Sequence, residues 1–74
     1  RFEVPADAGQ VTLAVFDLAG RRVRTLEQGQ LPAGRYARLW QGTDDHGRRV
    51  GSGIYMYRLT GRGFSESRKL VVVQ

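Results

Sequence analysis

Cysteine is absent from the 74 residues, histidine occurs once and proline twice. Without cysteine there is neither a disulfide framework nor thiolate chemistry, so the usual staple of a small secreted domain is missing. Catalysis has few candidates. His46 is the only imidazole, it stands between Asp45 and Gly47 in a turn, and a triad using Ser52, Ser65 or Ser67 would need that same histidine. The chain reads as non-catalytic and carries no cofactor-binding pattern. No apolar run exceeds four residues, as in Leu70 to Val73, against the ~20 that a membrane-spanning helix requires. Glu3, Asp7 and Gly9 interrupt the stretch where a signal peptide would need an unbroken apolar segment.

What is present fits one small domain over residues 1–74, 41% hydrophobic and 26% charged. Surface scaling gives a thin core, with about 62% of the unfolded chain's surface hidden on folding. Eleven arginines and one lysine outnumber seven acids, for a net charge of +5. That balance admits nucleic acid, anionic lipid or anionic polysaccharide as partners. The arginines are dispersed from Arg21 to Arg68, which reads as a solvated surface rather than one patch. Nucleic-acid binding would need exposed aromatics beside the cations. Tyr55, Tyr57 and Phe64 are needed for the core of so small a domain, so nucleic acid is not expected.

Period-two alternation and turn residues dominate, and no window sustains helical apolar spacing. Arg1 to Val4 reads as a short strand closed by Pro5. Val11 to Asp17 alternates Val11, Leu13 and Val15 on one face with Thr12, Ala14 and Phe16 on the other. Asp17-Leu-Ala-Gly20 is a tight turn, with Asp17 bonding forward to the backbone and Gly20 at positive φ. Arg21 to Leu26 returns, Val23 facing the core, with a bulge near Leu26. Gln28 to Gly34 is a loop, Arg35 to Trp40 a strand, and Gln41 to Gly53 the longest loop. Ile54 to Thr60 and Phe64 to Val73 form a last hairpin around Gly61-Arg62-Gly63. No internal repeat is evident.

These elements predict an all-β fold, a small antiparallel immunoglobulin-like sandwich of six to seven strands, with a small closed barrel as the alternative. The predicted core holds Leu13, Val15, Val23, Trp40, Tyr55, Tyr57, Leu59, Leu70 and Val72. Trp40 is placed inside because it is the largest apolar side chain. Structural turns are assigned to Asp17, Gly20, Gly34, Gly47 and Gly53. Asp44 and Asp45 in a glycine-containing loop could ligate a hard cation, but no glutamate follows at EF-hand spacing. The plainer reading is that they bond to loop amides. No metal site is assigned.

Five phrases occur in order: Val11-Thr-Leu-Ala-Val-Phe-Asp-Leu-Ala-Gly-Arg-Arg-Val23, Leu31-Pro-Ala-Gly34, Trp40-Gln-Gly-Thr-Asp-Asp-His-Gly47, Ser52-Gly-Ile-Tyr-Met-Tyr-Arg-Leu59 and Arg68-Lys-Leu70. Together they resemble the immunoglobulin-like C-terminal module shared by the type IX secretion sorting domain and the flagellar hook-cap scaffolding protein. In the sorting branch the resemblance implies the C-terminal module of a larger secreted protein. A secretion translocon would read it, a sortase-like peptidase would remove it, and the cargo would reach the cell surface. The ending Arg68-Lys-Leu-Val-Val-Val-Gln74 favours that branch, and Arg68, Lys69, Leu70, Val71, Val72 and Val73 form the expected recognition edge. The alternative is a scaffolding or adhesive module that self-associates, because an unguarded edge strand can pair with a second copy into a homo-oligomer.

Overall fold

Six strands form in the computed structural model, which describes residues 1–73: β1 (Phe2–Val4), β2 (Gln10–Phe16), β3 (Arg22–Gln30), β4 (Gly34–Tyr36), β5 (Gly53–Gly61) and β6 (Phe64–Val72). No helix occurs among the described residues. The larger sheet has the order β3-β2-β5-β6 and the smaller pairs β1 with β4; every pairing is antiparallel. The expected all-β sandwich is thus observed, with six strands divided four and two.

β2 forms because its β-branched and aliphatic residues alternate, and it occupies the centre because both of its edges find partners. Val11, Leu13 and Val15 are buried on its inner face. Leu59 of β5 stands opposite Leu13 in the ladder. Val11, Leu13 and Leu59 pack with Val4 at the end of β1 and with Ala8, and Phe2, Leu26, Leu31, Tyr36, Tyr57 and Phe64 close around them. Each fully buried aliphatic side chain stabilises by about 1.5–3 kcal/mol, so a handful of residues supplies most of the apolar driving force.

The core differs from the sequence expectation at several positions. Val23, Trp40, Tyr55, Tyr57, Leu70 and Val72 are half-buried, not interior. Trp40 lies past the end of β4, where its indole Nε1 donates to the Thr43 carbonyl at 2.7 Å and its ring meets Tyr55 edge-on at 5.6 Å. A large ring with a polar tip stays at the boundary, where both ends are satisfied. Tyr55 and Tyr57 are drawn outward in the same way, their hydroxyls donating to the carbonyls of Gly51 and Arg1. Leu70 and Val72 are exposed on one flank because β6 is an edge. In their place Val4, Ala8, Val11 and Ala14 are buried.

Strand limits also shift. β3 continues through Gln30 because Gln10 to Leu13 offers a full ladder to Glu27 to Gln30. The register slips at Leu13/Ala14, where Leu26 is the extra residue. β4 stops at Tyr36, since its only partner, β1, is three residues long. Gly34 and Gly53 begin strands, paired with Val4 and Val72, and do not form tight turns.

One sequence pattern is used twice. Asp17-Leu-Ala-Gly-Arg-Arg-Val23 and Asp44-Asp-His-Gly-Arg-Arg-Val50 share the order D-x-x-G-R-R-V, too short to stand out as a supersecondary repeat. Both fold alike. The Asp17 carboxylate accepts from the backbone N–H groups of Ala19 and Arg21, and that of Asp44 from those of His46 and Arg48. Gly20 and Gly47 donate back to the Asp17 and Asp44 carbonyls. Their φ values are +85° and +82°, a region that disfavours any side chain.

Candidate functional site

Three surfaces could carry function, and the first is the end formed by the paired turns. The second turn is fastened to β3: the Asp45 amide donates to the Val23 carbonyl, the Asp45 carboxylate accepts from the Thr25 amide, and Arg24 Nη1 donates to the Asp44 carbonyl at 2.8 Å. Both carboxylates that sequence reasoning weighed as cation ligands therefore serve as acceptors for backbone amides, each toward a different element. No group of three or more potential metal-ligating side chains occurs among the described residues. The backbone N–H of Arg48 holds the Asp44 carboxyl below the ordinary aspartate range, and that of Arg21 does the same for Asp17. Desolvation opposes this lowering at both carboxyls. His46 shares this end with Tyr55 and Val50 in a shallow depression.

The second surface is a cleft of about 530 Å³ left open between the sheets. Tyr57 and Leu59 line it from β5, Phe2 and Tyr36 from the small sheet, and Arg35, Glu66 and Arg68 add charge. Phe2 and Tyr36 stack with centroids 5.5 Å apart. The Arg38 guanidinium lies 5.8 Å and 5.7 Å from those ring centres while its Nε donates to Glu27 Oε2 at 2.7 Å. This clamp ties the segment after β4 to β3, and sequence reasoning missed it. The partners are eleven residues apart on different elements, so no local pattern announces the pair.

The third surface is β6 itself. Arg68, Lys69, Leu70, Val71 and Val72 lie in it and Val73 follows it. The strand pairs with β5 on one side only. Its inner positions include Glu66 and Arg68, opposite Leu59 and Tyr57. Charges pointing toward the cleft are one of the devices that discourage a stray strand from pairing at an edge.

Comparisons with known proteins bear on these surfaces. Over 58 residues, 78% of this chain, the sequence is 40% identical to the basal-body rod modification protein FlgD of Salmonella typhimurium, and equally to that of Salmonella typhi. The aligned region is 25% of each relative, so the chain spans about a quarter of the length of the curated proteins it matches. No solved structure matches. Residues 1–63 match the family model described as the FlgD Ig-like domain, a stretch that runs from β1 through β5 and both D-x-x-G turns and stops short of β6. The chain therefore belongs to the FlgD Ig-like domain family.

Proposed function

We propose that the chain is a non-catalytic structural module that presents a rigid surface to the protein subunits of an exported, flagellar-type assembly. The observation that carries this reading is the 40% identity to two proteins named for modifying the basal-body rod. The turn geometry supports it, because the carboxylates are committed to backbone amides. A pre-ordered surface also binds without the entropy cost of ordering a flexible tail. Of the two branches of the resemblance, the scaffolding branch has these relatives behind it. The sorting branch, with its translocon, sortase-like peptidase and surface-displayed cargo, has no counterpart among them. Self-pairing through β6 is likewise unsupported by the relatives, and the charged inner positions of that strand argue against it.

Grafting tests the reading. The 74-residue chain in place of the aligned segment of the Salmonella typhimurium protein should sustain rod assembly, scored by electron microscopy of basal bodies. A graft that folds, is exported and leaves assembly at the level of the deletion overturns it.

A further inference from the structure

The four-stranded sheet has a second face that the sandwich does not use. Ladder register places Phe16 beside Met56 and Lys69, and Ile54 beside Val71. Ile54 is 42% exposed and Val71 65%. One row along, Arg58 sets its guanidinium 4.9 Å from the Phe16 ring centre and donates from Nε to Ser67 Oγ at 3.2 Å. Single exposed apolar residues are ordinary, whereas several adjoining on one face mark an interaction surface.

Charge on this face is of one sign. Glu27 and Glu66 stand opposite Leu13 and Leu59, so both belong to the inner face. Glu3 is on β1, and Asp7, Asp17, Asp44 and Asp45 are in turns and loops. No acid of the chain therefore occupies a strand position on the outer face, while Arg58 and Lys69 do.

We propose that this outer face docks an amphipathic acidic segment of a partner protein, in which glutamate or aspartate alternates with aliphatic side chains. The aliphatic groups would cover Ile54, Met56 and Val71, and the carboxylates would meet Lys69 and Arg58. The hydroxyls of Thr60, Ser65 and Ser67 on the same face suit the polar backbone of a protein better than lipid tails. Nucleic acid would need stacking rings. Phe16 is the one aromatic that register places on this face, and Arg58 already lies over it. The assignment rests on the scaffolding reading for the partner's being a protein.

The decisive measurement is an amide NMR titration of the 74-residue chain with a short peptide alternating glutamate with leucine and valine. Its lysine counterpart, oligothymidylate and phosphatidylglycerol vesicles are run beside it. Saturable shifts at Phe16, Ile54, Met56, Lys69 and Val71 with the acidic peptide are expected. Lys69→Glu and Val71→Ser should each weaken binding roughly tenfold without altering thermal unfolding. Shifts confined to the inter-sheet cleft, no saturable binding, or preference for the lysine peptide, the oligonucleotide or the vesicles would overturn the proposal. The graft separates the two ideas. If the unmodified graft assembles and its Lys69→Glu, Val71→Ser version assembles equally well, the docking face is wrong and the scaffold stands. If a folded and exported unmodified graft does not assemble, the scaffold reading fails and the protein class of the partner fails with it.

Discussion

β2 and β6 are built from similar material and end in opposite environments. β2 carries Val11, Leu13, Ala14, Val15 and Phe16; β6 carries Phe64, Leu70, Val71 and Val72. Four residues of β2 are almost wholly buried, and none of β6 is. The difference is position. β2 has neighbours on both edges and the small sheet beneath it, while β6 has one neighbour and an open cleft below. Apolar composition makes a strand, and the number of neighbours decides whether that strand becomes core.

The largest effect that tests this contrast is expected at Leu13. Leu13→Ala should destabilise by about 2–5 kcal/mol, as cavities in packed cores do, whereas Leu70→Ala in β6 should cost well under half as much. Urea unfolding of both variants measures the pair, and equal losses would break the comparison.

Trp40→Ala comes next. The indole sits at the boundary, so its removal costs one hydrogen bond and one edge-on ring contact, in sum about 2 kcal/mol. A shift in thermal unfolding as large as that of Leu13→Ala would return Trp40 to the core.

The duplicated turn sharpens the contrast from the other side, because here two regions should behave alike. Gly20→Ala and Gly47→Ala should each cost about 1–2 kcal/mol from the left-handed backbone they must hold. A Cβ at either position meets no atom within 4 Å, so the penalty is conformational. At Gly61 the cause would be steric: a Cβ there overlaps the Phe64 ring and lies 3.1 Å from the Ala8 carbonyl. A calorimetric difference between Gly20→Ala and Gly47→Ala larger than either effect would show the turns to be inequivalent.

The smallest expected effect is that of acid. Asp17 and Asp44 have depressed carboxyl values in the folded chain, chiefly through the Arg21 and Arg48 amides. Their contribution is present above the unfolded aspartate value and is lost as pH falls through the folded one, that is, downward from about pH 4. Asp17→Asn with Asp44→Asn should flatten the fall of thermal stability across that window. An unchanged acid limb would remove the turns from the pH response.

What could be read locally was read from the sequence. The alternation of Val11, Leu13 and Val15, the D-x-x-G turn at Asp17 and the slip at Leu26 depend on residues a few places apart, and each is found where the pattern lies. The order of the five phrases likewise pointed to the family that residues 1–63 match, although not to the branch the relatives favour. The misplacements of Trp40, Tyr55 and Tyr57 share one cause: ring size was weighed, and the distant carbonyls that hold their polar tips were not visible.

By itself, then, the sequence determined the all-β class, the D-x-x-G turn at Asp17 and the family, because backbone conformation and side-chain alternation are set by neighbours along the chain. Only the tertiary structure decided which strand is central, that Glu27 reaches Arg38, and that every acid leaves one face of the large sheet to Arg58, Lys69 and exposed aliphatic residues. Burial and charge segregation depend on register between segments up to dozens of residues apart, and a slip of one position would turn each strand's faces over.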